Sequence, residues 1–145
     1  VPREYYWGCI PGVRDMRARI FRNDEQKIGP SRQLLVVSIV GAGRLHSLRI
    51  VASQAGARVD IEIDGFEYTK FTFSELNSQA LSTPNSGGVP YLEGYSPGDS
   101  SFAAAIVAYR PIEFASSLMV TIAAPDASTT VKRVEGTIEI DSPPD

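Results

Sequence analysis

The sequence predicts an all-β domain, an antiparallel β-sandwich or jelly roll of about eight strands with an extended N-terminal arm. Segments of strand periodicity recur in both halves, no helical face is sustained, although Leu45, Leu48, Val51 and Ala55 would fit one, and turn residues separate the segments. At 145 residues the chain has the length of one domain. Such a chain buries roughly 70% of its unfolded surface, so its core needs neither disulfide nor metal. Helix is expected for fewer than about one residue in eight.

Residues 1–15 read as the arm and residues 16–145 as the sandwich. Pro2 and Pro11 interrupt any regular structure around the aromatic cluster Tyr5, Tyr6 and Trp7. Alternation begins weakly at MRARIF. QLLVVSIV, Gln33–Val40, is a continuous β-branched run, which predicts a central strand or one buried on both faces. In RVDIEIDG, Val59, Ile61 and Ile63 face one way and Arg58, Asp60, Glu62 and Asp64 the other. Asp64-Gly65 supplies a tight turn, so 59–73 reads as a hairpin. Ser74-Glu75-Leu76-Asn77 predicts one helical turn capped by Ser74. A long Gly-, Pro- and Ser-rich loop is expected over 81–101, and loops of that length are commonly functional. FAAAIVAY, SLMVTIAA and VKRVEGTIEI complete the strands, with Leu118, Val120 and Ile122 sharing a face.

Charge is divided unevenly. Residues 1–32 carry seven basic and four acidic side chains, a net of +3, and residues 33–145 carry seven and thirteen, a net of −6. Phosphate backbones require a basic face, so an acidic body argues against nucleic acid as a partner. The sequence contains no apolar run near 18 residues, so no helical span of a membrane is expected, and its first residues lack a signal-peptide pattern. The single cysteine, Cys9, excludes an internal disulfide. Eleven arginines against three lysines suit planar, multidentate contacts at interfaces.

Several motifs imitate chemistry. The stretch from Val36 to Asp64 mimics a dinucleotide-binding βαβ unit, with Gly41-x-Gly43 after an apolar strand and an acidic strand end. His46 stands where the third glycine would permit close helix–strand packing. RLHSLRIV reads equally well as a strand with His46, Leu48 and Ile50 on one face, and nicotinamide or flavin cofactors are not expected. DIEIDG places oxygen ligands at positions 1, 3 and 5 of a calcium loop, but position 12, which needs a bidentate glutamate, is Phe71. His46 is the only histidine, and adjacent Ser47 points to the opposite face of a strand. No metal site, no catalytic set and hence no enzyme is expected.

IVGAGRLHSLRIVASQAGARVDIEIDG resembles a pattern in tailed-bacteriophage virion proteins of β-sandwich type. There a Gly-x-Gly turn starts a strand that pairs with one ending in Ile-Asp-Gly. AYRPIEFASSLMVTIAAP fits the same pattern, as an aromatic–Pro–Ile–x–Phe approach to a strand beginning Ser-Leu. The two segments cover a little under a third of the chain. The resemblance implies a structural subunit of a virion, in capsid decoration, tail or adsorption apparatus, whose partners are copies of itself and other virion proteins.

Two sets of residues are candidates for contact. Arg3, Tyr5, Tyr6, Trp7 and Arg14 in the arm have the aromatic and arginine character of subunit interfaces. Tyr91, Glu93, Tyr95 and Asp99 lie in the long loop, where rings and acids would meet a partner or a surface carbohydrate. The alternative reading is therefore a carbohydrate-binding module or an extracellular filament subunit.

Overall fold

The computed structural model describes residues 16–23 by their strand pairing and residues 25–141 in full. Among the described residues ten strands run in chain order: β1 Met16–Asn23, β2 Gln26–Ile28, β3 Gln33–Val40, β4 Gly43–Ala52, β5 Arg58–Ile63, β6 Phe66–Thr72, β7 Tyr91–Ser96, β8 Ser101–Phe114, β9 Ser117–Ala123 and β10 Thr129–Asp141. One helix, α1 Phe73–Ser78, and one 3-10 turn, Pro97–Asp99, interrupt them. The all-β sandwich expected from periodicity is the fold.

The strands form two antiparallel sheets. The first has the order β1-β10-β4-β8-β7, with β2 lying beside β1 along the same edge of β10. The second has the order β3-β9-β5-β6. With β1 and β2 sharing one position and β7 set aside as an added edge, eight positions remain. The chain fills them by crossing between sheets at every step except the β5–β6 hairpin, and that winding is a jelly roll.

Alternation places the core. Val59 and Ile61 on β5 and Leu118, Val120 and Ile122 on β9 are each 0% exposed, and they face Leu48 and Ile50 on β4 and Val134 and Ile138 on β10. Each such side chain contributes about 1.5–3 kcal/mol relative to exposure. Between the β6 and β7 edges the sandwich is closed by α1, which buries Phe73 and Leu76. The Phe73 ring sits 6.3 Å from Phe71, edge-on, and 6.4 Å from Phe102. Its N-cap is Thr72 rather than Ser74. The Thr72 hydroxyl accepts from the Glu75 N–H and the Glu75 carboxylate accepts from the Thr72 N–H, a capping box that fixes the start one turn ahead of the acid. Ser74 instead donates its hydroxyl to the Ala55 carbonyl.

Two strand readings change. β3 is an edge strand, not a central one. A bulge between Leu35 and Val37 lets the consecutive Val36 and Val37 both turn inward, at 1% and 0% exposure. That extra residue is what makes the sequence look buried on both faces. The expected loop over 81–101 contains β7 and the first residue of β8, so only 81–90 is irregular before the sheet resumes. The pairing inferred from the virion-type pattern also differs: β4 and β5 lie in opposite sheets and pair with other strands. Residues 53–57 carry the chain across, so the Gly-x-Gly strand and the Ile-Asp-Gly strand face each other through the core.

The Asp64-Gly65 turn is as the sequence indicates, with φ of 55° and 84° at its two positions, the left-handed pair that a two-residue hairpin needs. The Asp64 carboxylate has a further task. It accepts N–H bonds from Ala115, Ser116 and Ser117 at 2.7–3.0 Å, and the Ser116 hydroxyl, so it holds the β8–β9 turn against the β5–β6 turn. These N–H groups of Ala115, Ser116 and Ser117 lower its pKa to about 2. A carboxylate with a lowered folded-state pKa stabilises above its unfolded value and loses that contribution as pH falls through the folded one. Asp64→Asn should therefore be less stable than wild type at pH 5, and the gap should narrow as pH falls from about 4 to about 2. Urea unfolding at several pH values reads it; a gap independent of pH would show that the charged clamp contributes nothing.

Candidate functional site

The arm residues Arg3, Tyr5, Tyr6, Trp7 and Arg14 lie outside the described residues. The four loop candidates do not converge on a binding surface. Tyr91 is 6% exposed on β7. The Tyr95 ring packs 4.9 Å from Phe102, edge to face, against the core. Asp99 accepts the Ser96 hydroxyl at 2.9 Å within the 3-10 turn. Strand formation over Tyr91–Ser96 is the physical reason: once 91–96 pairs with β8, its rings become packing groups rather than stacking platforms for a sugar.

Glu93 has a structural partner. Arg49 on β4 donates to both its oxygens, at 2.5 and 2.7 Å, across β8. The reach is diagonal: Arg49 pairs with Ala105, which pairs in turn with Tyr91, and Glu93 is the surplus residue of β7 between Leu92 and Gly94. Ala105 is 2% exposed although it belongs to the outer face. Hydrogen bonding to Glu93 raises the Arg49 pKa further above its ordinary value. Glu135 lies 3.8 Å from Arg49 and 3.9 Å from Arg133, so opposite charges run from β7 to β10 over this sheet.

The cofactor mimic resolves into strand. Gly41 supplies a φ of 127° for the turn. A Cβ at Gly43 would collide with the Glu139 carbonyl and the Phe114 ring, so the second glycine is required by packing. His46 does not share a face with Leu48 and Ile50. Leu45 and Leu48 both point inward, at 1% and 2% exposure, and His46 is the surplus residue between them, skipped by both neighbouring strands. It stands outside, its Nε2 hydrogen-bonded to the Glu139 carboxylate.

On β8 the same irregularity is larger. Leu45 pairs with Ile112 and Ser47 with Val107, so 108–111 bulge out opposite the single residue His46. Pro111 within the strand has no N–H to give a ladder. The bulge is held by residues 86–88: Gly88 donates to the Val107 carbonyl at 2.9 Å and Tyr109 to the Ser86 carbonyl at 2.7 Å. Tyr109 is left 83% exposed, with exposed Arg110 beside it. From the other sheet the Tyr68 hydroxyl donates to the Gly88 carbonyl at 2.9 Å, and Phe66, two residues earlier on β6, is 77% exposed. Gly88 fits there because it adopts a φ of 80° and because a Cβ would stand 2.8 Å from the Tyr68 oxygen.

Tyr68, Tyr109 and Arg110 therefore gather around segment 86–88, at the mouth between β6 and the β8 bulge, and the exposed Phe66 lies two residues before Tyr68 on the same strand. Single exposed apolar residues are ordinary, but a group of aromatic rings with an arginine has the composition of an interface centre. Sequence reasoning missed it. The available signal was Pro111 inside an otherwise regular strand, which marks a bulge and an outward-thrown neighbour.

Among the described residues no group of three or more His, Cys, Asp or Glu is placed to hold a metal ion, and no helix is long and apolar enough to cross a membrane. Neither protein-family models nor curated proteins yield a match to this chain.

The Arg49–Glu93 bridge is partly exposed, so Glu93→Gln should cost at most about 1 kcal/mol, less in high salt. Ala105→Leu, which forces bulk between Arg49 and the buried Tyr91, should cost more, about 1–3 kcal/mol. Urea denaturation of both variants sets the order, and the reverse order would mean that the charge pair, not the packing below it, dominates this face.

Proposed function

We propose that this chain is a non-enzymatic structural subunit of a virion, in capsid decoration, tail or adsorption apparatus, that assembles with copies of itself and with other virion proteins. The observation that carries the reading is the exposed Phe66, Tyr68, Tyr109 and Arg110 group. Aromatic and arginine side chains dominate interface energetics when a partner covers them. Jelly rolls occur in viral capsid proteins and in lectins alike, so the fold supports the reading by analogy alone. The likeness to tailed-phage virion proteins supports the choice of particle.

The arm belongs to the same proposal. The described residues from Ile28 to Ile138 supply a contiguous core, and residues 1–15 add rings and arginines suited to a neighbour's acidic surface.

Sedimentation over a range of concentrations tests the reading. Wild type should form oligomers. Tyr109→Ser and Phe66→Ser should each weaken association by about 30-fold, the equivalent of about 2 kcal/mol for an interface anchor, with unchanged thermal unfolding. A wild-type chain that stays monomeric at every concentration overturns the proposal. Deleting residues 1–15 should leave a folded chain that no longer assembles; unfolding of that variant would assign the aromatics to its own core.

A further inference from the structure

A groove of about 670 Å³ opens at the other end of the β3-β9-β5-β6 sheet, lined by residues of three connections and the strand ends beside them. Arg32 comes from the β2–β3 turn, Arg58 begins β5, and Thr72 ends β6; Gln33 and Ala123 pair between them. The walls are fixed to each other. Ser31 donates its N–H to the Pro125 carbonyl at 2.7 Å, and Ala124 donates to the Arg32 carbonyl at 2.8 Å. A Cβ at Gly29 would lie 3.6 Å from Arg32 Cδ, so the arginine stem is laid along that turn.

Arg44, Arg49 and Arg133 each have a carboxylate within ion-pair distance. Among the described residues Arg32 and Arg58, both exposed and both lining the groove, have none. The one acid of the lining is Asp126, which accepts the Ser31 hydroxyl at 3.4 Å. Two guanidinium groups and one carboxylate leave the groove a net charge of +1.

We infer that this groove binds a carboxylate. Guanidinium groups pair with carboxylates through two parallel N–H bonds, and the Ser31, Gln33 and Thr72 side chains can supply hydrogen bonds to the group that bears it. The net charge selects among oxyanions. A monoanionic carboxylate neutralises the groove, whereas a phosphate of about −1.5 to −2 leaves uncompensated charge facing Asp126. The carboxylate comes either from a small free acid or from an acidic side chain of a protein segment.

Titration of the full chain followed through its arginine Nε–H signals decides this, with propionate, a blocked peptide bearing one aspartate, and inorganic phosphate as probes. Both carboxylates should shift the Arg32 and Arg58 signals saturably. Phosphate should require about tenfold more, and Arg32→Gln or Arg58→Gln should each weaken carboxylate binding by about tenfold. Because both side chains are exposed, the variants should melt as wild type does. A peptide bound at least about tenfold tighter than propionate identifies a protein segment, and equal binding identifies a free acid. Tighter binding of phosphate, the absence of any saturable shift, or unchanged binding in both variants overturns the inference.

Discussion

The register of β4 against its two neighbours is the constraint from which the exposed surface follows. Leu45 and Leu48 must both enter the core, yet they are three residues apart, and strict alternation would send one of them outward. One residue has to be surplus. His46 takes that place, outside the sheet and tied to Glu139. On the β10 side the correction is small, a single shift between Thr137 and Ile138. On the β8 side it is four residues long, and it is this bulge that carries Tyr109 and Arg110 into solvent. The candidate interface is thus a consequence of packing two leucines.

Local periodicity made much of the fold legible. β5 and β9 alternate cleanly, and Asp64-Gly65 names its own turn, because in each case the determining contacts are within a few residues or between uniform faces. β3 misled because its bulge converts alternation into a run of inward residues. β7 misled for the opposite reason. Its glycine and flanking prolines read as loop, and only pairing with the small residues of β8 makes it a strand. Neither signal is present in the segment itself.

The site was less legible than the fold. Tyr91 and Tyr95 were attractive because tyrosine in a polar stretch suggests display, but display depends on what lies across the sheet. Tyr109 looked like one more strand residue, and its exposure follows from a mismatch with β4, more than 50 positions away in sequence. Asp64 illustrates the same limit. Its spacing imitates a cation ligand and a ribose-binding acid, while its actual partners are three N–H groups of 115–117 and the Ser116 hydroxyl. Acidic residues at turns are recruited by unsatisfied backbone donors, which no short motif records.

The aromatic mouth and the arginine groove occupy opposite ends of one strand, since Phe66 begins β6 and Thr72 ends it. They differ in chemistry as well: one is apolar with a single arginine, the other polar with two. A two-fold dimer joins identical patches, so each surface would have to complement itself. Like-charged guanidinium groups oppose that at the groove, because two copies bring four guanidinium groups against only two Asp126 carboxylates. Contacts that use both ends are therefore heterologous, head to tail. Heterologous contacts close into a ring when the rotation between copies divides a full turn, and otherwise continue as a helical filament. In either assembly the jelly roll would be the rigid spacer, because its strands hold the two ends at a fixed separation.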